Sequence, residues 1–397
     1  MFHFRQRSSD AVYGVLIDIS SGSVGVAIVM SHVGEIIPKI LYTHRNTMRI
    51  TKHSPENQTD LRRLREALFS ALLTLSQEGK QVLSEYDSRA IISKLYVTCS
   101  APWSYTVART VNLENDEPIK ITNTIINDLV QSAETEIINH LREVSHMSVD
   151  SFSIVERATV DITVNEYAVS NPLNLKGTSL SLSHVAGVIP EDILSAIREV
   201  QEKLFPDTTF RAHTYMLIMY CVMRDIFPRI NSMCIINITA ESTEFAVVEK
   251  GLLIENASTP TGSTTFVRNV METTNKPSAD VQSHMSHVGD DSHLTTADFE
   301  PHTTEYVNKL TELIVHIMSH RAIPSNIIIT AHKPFEHFFV PLIGQAFERA
   351  LHTQPHILSI REGMIKEISD GADEDVYLAL AARFFHKLHT CGELDYK

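Results

Sequence analysis

Two stretches of this sequence, about half a chain apart, repeat one pattern, and that repetition restricts the fold more than any other feature. Tyr13 to Met30, YGVLIDISSGSVGVAIVM, is an apolar, β-branched run that reaches Asp18, turns through Ser20, Ser21, Gly22 and Ser23, and resumes at Val24. Ser232 to Val248, SMCIINITAESTEFAVV, again runs into a small polar turn and out of it. Each reads as strand, tight turn and strand. A third strand follows each, at Glu35 to Tyr42 and at Leu252 to Asn256. Recurrence at this distance predicts two lobes built on one template, with matched hairpins facing each other across a cleft. A carboxylate at the end of the first strand and small residues at the tip suit a hairpin that presents backbone N–H groups to a phosphate. An ordinary buried hairpin has the same pattern.

Between the hairpins, Thr59 to Gln77 carries Leu61, Leu64, Leu68, Leu72 and Leu75 on one helical face, with Ser54 and Pro55 just before it. From Lys94 the pattern changes to a strand, the single tryptophan Trp103, and a second strand from Tyr105 to Leu113. A helix beginning near Ile121 follows, then strands at Ser153 to Val164 and Leu180 to Ile189, divided by the turn residues Asn171, Pro172 and Gly177. These predict a small α+β module, residues 94–189, inserted into a first lobe made of residues 1–93 and 190–230. Pro190 to Leu204 is an amphipathic helix, and Ala212 to Ile226 a more apolar one whose Met216, Met219 and Met223 fill core. The second lobe, residues 231–370, adds a helix at Thr304 to Met318, a strand at Asn326 to Thr330 and a helix at Phe338 to Leu351. Val376 to Leu388 is read as a helix closing the first lobe within residues 371–397.

Composition excludes several function classes. At 397 residues the chain exceeds one compact core. A formal net charge of −14 without a basic run disfavours nucleic acid or an anionic membrane surface as the main partner. Cys99, Cys221, Cys234 and Cys391 lie far apart and indicate neither a disulfide framework nor a zinc site. His284, His287, His293 and His302 share no ligand spacing within a polar, weakly periodic stretch, so they predict no metal site. No run of 18 apolar residues exists and MFHFRQRSSD lacks a signal-peptide stretch, so a cytosolic protein is expected.

With both hairpins placed, the chain resembles the actin, Hsp70 and sugar-kinase superfamily, and within it the branch of the bacterial cell-division protein FtsA and the pilus-assembly protein PilM. Asp18-Ile19-Ser20-Ser21-Gly22-Ser23-Val24 looks like the first phosphate motif, Asn237-Ile238-Thr239-Ala240-Glu241-Ser242-Thr243-Glu244 stands in the place of the second, and Ile327 to Ala331 in that of the adenosine motif. Glu166-Tyr167, Asn171-Pro172-Leu173-Asn174-Leu175-Lys176-Gly177, Leu180 and Leu182 resemble the end of the subdomain peculiar to the FtsA and PilM branch. The resemblance implies a two-lobed α/β actin-like (ribonuclease H-like) ATPase fold, with an FtsA-type α+β subdomain inserted in the first lobe. It also implies an ATP site with magnesium near Asp18, lined by Ser20, Ser21, Gly22, Ser23, Asn237, Thr239, Ala240, Glu241, Ser242, Thr243 and Ala331.

Four departures at that site imply weakened or lost ATP and magnesium binding. Asn237 replaces an acidic residue; Thr239 and Ala240 replace glycine; Ala331 and His332 replace paired glycines; Gln282 and Met285 stand where the family usually has Glu and Lys. The leading expectation is a non-enzymatic, self-associating scaffold of FtsA type in cell division or envelope assembly. It would dock partners through residues 94–189, with Trp103 and Tyr105 as a candidate patch or, for Trp103, as core. The alternatives are an active ATPase or kinase of this fold, with Glu241 or Glu244 as base, or a PilM-like pilus-assembly protein. Partners implied are further copies of the chain and inner-membrane division or pilus proteins. The short polar insert at residues 271–301 puts binding of the FtsZ tail in doubt. The chain stops at CGELDYK without the amphipathic helix that anchors FtsA, which leaves only Phe2, Phe4, Arg5 and Arg7 as a minor substitute.

Overall fold

The computed structural model describes residues 11–48, 50, 57–144, 151–286, 296–360, 362–372 and 375–391. The chain begins β1 (Ala11–Ile19), β2 (Ser23–His32), β3 (Lys39–Thr47), α1 (Asn57–Thr74), a π-turn at Leu75–Gly79, α2 (Lys80–Tyr86) and β4 (Ile92–Cys99). It continues through β5 (Tyr105–Lys120), α3 (Asn123–Val144), β6 (Phe152–Val164), β7 (Tyr167–Ala168), β8 (Lys176–Pro190), α4 (Glu191–Leu204), β9 (Thr209–Thr214) and α5 (Tyr215–Ile226). The remainder is β10 (Met233–Ile238), β11 (Thr243–Glu249), β12 (Leu252–Thr259), α6 (Ser263–Thr274), α7 (Ser278–Ser286), α8 (Thr296–Met318), β13 (Asn326–Ala331), α9 (Lys333–Leu351), β14 (His356–Ser359), α10 (Glu362–Ile368) and α11 (Val376–Thr390).

Two five-stranded mixed sheets share one order, β3-β2-β1-β4-β9 and β12-β11-β10-β13-β14. In each, the hairpin and its third strand are antiparallel and the last two strands join in parallel. Side-chain alternation explains how each sheet is covered. Val15, Ile17 and Ile19 of β1 pack with α1 and α4, while Leu16 faces a central layer holding α5 and α11. Cys234, Ile236 and Ile238 of β10 pack under the outer helices α6 to α9, while Met233 and Ile235 face the same central layer. By this parity Asp18 and Asn237 both point inward, toward the junction of the lobes. A third, antiparallel sheet, β5-β8-β6-β7, carries α3 on one face. It is joined to the first sheet through Glu156 of β6, which accepts from His213 Nδ1 (2.5 Å), Thr214 N (2.9 Å) and Thr214 Oγ1 (3.1 Å) at the end of β9.

Several elements differ from the sequence expectation. The third strand starts at Lys39, because Val33 and Ile36 occupy an exposed turn. Ala212 belongs to β9, and the helix begins only at Tyr215; the short run from Thr209 is captured by parallel pairing with β4 rather than by helical periodicity. Residues 263–272, for which the sequence pattern gives no element, form most of α6 through Phe266, Val267 and Val270, and α7 in the polar stretch is held by Val281 and Met285. Trp103 is core at 4% exposure, so it forms no exposed patch. Phe2, Phe4, Arg5, Arg7, Ser54, Pro55, His287 and His293 lie outside the described residues. Among the described residues no helix is long and apolar enough to cross a membrane.

Candidate functional site at the junction of the two hairpins

Asp18 sits one residue before the end of β1 and is fully buried. Thr98 Oγ1 of β4 donates to one carboxylate oxygen (3.1 Å), and Arg45 Nη2 of β3 donates to the other (2.8 Å). Arg45 reaches Asp18 by passing over Gly25 of the intervening strand. A Cβ at Gly25 would lie 2.4 Å from Arg45 Nη2, so a glycine there leaves the guanidinium its path. The same guanidinium grips Asp375 through Nε–Oδ2 (2.7 Å) and Nη2–Oδ1 (3.0 Å), and Nη1 donates to Ser23 Oγ (2.9 Å). Asp375 in turn caps α11 by accepting from Tyr377 N and Leu378 N, each at 3.1 Å. One arginine therefore joins the first hairpin, the third strand and the closing helix.

The buried Asp18 and the half-buried Asp375 share the Arg45 cation. Burial pushes the Asp18 carboxyl above the ordinary carboxylate range, with Arg45 opposing the shift and Asp375 reinforcing it. Burial also acts on Asp375, but the bidentate arginine and the helix N-terminus hold it below that range. Removing one member of such a group leaves an uncompensated buried charge, at a cost of about 3–5 kcal/mol.

Asn237 occupies the equivalent point on β10. Thr330 Oγ1 of β13 donates to Asn237 Oδ1 (3.1 Å), as Thr98 does to Asp18, while Asn237 Nδ2 donates to Glu244 Oε2 (2.8 Å) on β11. Glu244 stands opposite Asn237 in the strand register and is 3% exposed. Burial pushes it up to about 7 despite the hydrogen bonds from Asn237 and the Ala101 backbone.

The hairpin tips meet directly. A Cβ at Gly22 would lie 2.5 Å from Ala240 Cβ. Ser21 Oγ donates to Thr239 Oγ1 (3.0 Å) and accepts from Glu241 N (2.9 Å), and Ser242 Oγ donates to Ala101 O (3.1 Å). Glu241 is drawn aside by Arg268 (2.7 Å) and Thr265 (2.9 Å). His332, which lies against the Tyr377 ring and 3.5 Å from Ser23 Oγ, is pushed down to about 4 by burial and by Arg45, so it is neutral at pH 7.

Asp18, Ser21, Gly22, Ser23, Thr239, Ala240, Glu241 and Ser242 are thus brought to one junction, with Asn237 behind it. Ser20 contributes backbone, its carbonyl accepting from Trp103 Nε1 (3.2 Å), while its hydroxyl is buried without a hydrogen-bond partner among the described residues. Thr243 is turned away toward Thr261 O (2.8 Å), and Ala331 is buried in the parallel pairing with Ile238. Sequence reasoning missed Arg45, Thr98 and Asp375; Gly25 in the middle of an apolar strand was the signal available. These groups do not fit a magnesium triphosphate. The position beside Asp18 is held by a guanidinium, and the space between the tips is closed by Gly22 against Ala240. Among the described residues no group of three or more His, Cys, Asp or Glu could hold a metal ion.

Paired mixed sheets of one order, with two hairpins meeting between the lobes, define a two-lobed α/β fold of actin-like type, and solved structures are similar to it. One of these, the PilM–PilN type IV pilus biogenesis complex, matches with a TM-score of 0.55 and 9% identity, over 96% of this chain and 97% of that one. A Bacteroides thetaiotaomicron protein with an actin-like ATPase fold and unknown function matches with a TM-score of 0.44 and 8% identity, over 96% and 98%. At these identities the likeness is one of fold. No protein-family model matches the chain, and no curated protein matches it in sequence.

Proposed function

We propose that this chain is a non-catalytic actin-fold adaptor of PilM type, in which protein side chains stand where the superfamily places metal and phosphates. The observation that carries this reading is Arg45, which bridges Asp18 and Asp375 at 2.7–3.0 Å and supplies the positive charge a metal would otherwise bring. The tip-to-tip bonds through Ser21 fix the lobes without a bound nucleotide. In the neighbour of similar architecture, PilM is seen in complex with PilN; that supports partner docking as the role here, and favours pilus or envelope assembly over an FtsA-type division role. Residues 94–189 serve as the docking module between lobe segments 1–93 with 190–230 and 231–370, residues 371–397 closing the first lobe. Its exposed apolar residues, Tyr167 (77% exposed) and Leu175 (41% exposed), form the partner-facing contact in place of Trp103.

Thermal melting with and without ATP and magnesium tests the first half of the proposal. The melting temperature stays unchanged if the junction is sealed, whereas a clear nucleotide-dependent rise abolished by Asp18→Ala contradicts it. The docking half is tested by cross-linking in cells with inner-membrane assembly proteins, which Tyr167→Ala together with Leu175→Ala should abolish while leaving the melting temperature in place.

A further inference from the structure

Beside the sealed junction lies a cavity of about 780 Å³, the size of a small-molecule site. Its floor is formed by the outer sides of the two hairpin tips, its walls by β5 and α3 of the inserted sheet and by β12, α6 and α8 of the second lobe. β12 is the edge strand of its sheet and lies against β5, so the cavity is enclosed between elements of both lobes rather than being a shallow surface groove. Ala331, His332 and α7 do not line it, so it is separate from the side of the junction where a nucleoside would lie.

The lining charge is unequal. Arg63, Arg109 and Arg268 face Glu241 and Glu255. Both glutamates are already paired: Glu241 with Arg268 of the same lining at 2.7 Å, and Glu255 with His320 at 3.4 Å and Arg321 at 3.8 Å. The side chain of the half-buried Arg109 makes no hydrogen bond or ion pair among the described residues. His140 of α3 also lines the cavity, and burial with the adjacent Arg109 pushes it below the ordinary histidine range. A cationic end thus persists in a protein whose net charge is −14. Tyr105, Leu141, Ala257 and Ile317 give the wall an apolar part, beside polar residues that include Thr106, Asn256, Ser258 and Thr264.

We propose that this cavity is a binding site for an amphipathic organic monoanion, its aromatic or acyl body against Tyr105 and Ile317 and its carboxylate, sulfonate or phosphate head on Arg109. Enclosure and volume favour a small molecule over a peptide helix, which needs an open groove. One uncommitted guanidinium sets one anionic head. The site shares its floor with the joined tips, through Ser21, Gly22, Glu241 and Ser242, but neither Asp18 nor Arg45 lines it.

The test uses the full chain and anilinonaphthalene sulfonate, with phenylnaphthylamine as a neutral probe of similar ring system. The expected result is one saturable sulfonate site, weakened about tenfold or more by Arg109→Glu through loss of a charge-assisted hydrogen bond. Ala257→Trp, which fills the cavity without altering charge, should remove the site. Decanoate and phenyl phosphate should compete, the stronger competitor identifying the head group. Circular-dichroism melts verify that both variants are folded. Equal affinity for the neutral probe, unchanged binding in either folded variant, or no competition from either anion would overturn the proposal.

Discussion

The two hairpins are built on the same backbone and treat charge in opposite ways. Each turns with the same bond, Ser20 N to Ser23 O (3.0 Å) and Thr239 N to Ser242 O (2.9 Å). Each has a threonine from the neighbouring parallel strand donating to the inward residue at 3.1 Å. On the first, that residue is Asp18, and Gly25 across the ladder leaves room for Arg45 to neutralise it. On the second, it is Asn237, and the opposite residue is Glu244, buried without a cation. The difference teaches that one backbone can settle a buried inward residue in two ways: Asp18 takes its counter-ion from β3, whereas Asn237 is neutral and hydrogen-bonds the carboxyl opposite it.

The comparison breaks most readily at Arg45. Arg45→Met leaves the buried Asp18 and the half-buried Asp375 without their cation and should cost about 3–5 kcal/mol in chemical denaturation. Adding Asp18→Asn should recover part of that loss; strict additivity would break the pairing. On the second hairpin the largest effect should follow pH. Folded Glu244 keeps its proton up to about 7, whereas the unfolded chain loses it near the ordinary 4.5. The unfolded state therefore binds fewer protons between those values, and stability falls as pH rises through them. Glu244→Gln removes this loss, so its advantage over the parent should grow by about 3 kcal/mol from pH 4 to pH 8. A pH-independent difference would show that the Glu244 carboxyl titrates alike in the folded and unfolded chain.

At the tips, Gly22→Ala drives a methyl into Ala240, and a loss of about 1–3 kcal/mol is expected. Ala240→Gly in the same chain should relieve it, and a loss that persists would place the strain elsewhere. Smallest is Ser21→Ala, which removes the donor to Thr239 and the acceptor for Glu241 N, for about 1 kcal/mol in urea unfolding.

Much of the architecture was legible because it rests on local pattern. Both hairpins, the inserted strands and the amphipathic α4 follow from apolar periodicity and turn residues within a few positions. β9 was missed because six residues with mixed burial carry no period of their own and are held by β4. α6 was missed because only a few apolar positions, Phe266, Val267 and Val270, anchor it. At the site, the residues of the two tips were legible, but their function was not. The groups that decide it, Asp18, Arg45 and Asp375, are far apart in the chain and meet only when β3, β1 and α11 pack. Loss of glycine at Thr239 and Ala240 signalled a changed site; the guanidinium that fills it had only Gly25 as a trace.

Direct titration of magnesium ATP into the purified chain by calorimetry tests most simply whether Arg45 and the closed tips replace the ligand. No saturable heat is expected up to about 1 mM nucleotide. Binding with a Kd of about 10 μM or tighter that vanishes in Asp18→Asn would contradict it, because the carboxylate would then be serving a metal and not Arg45.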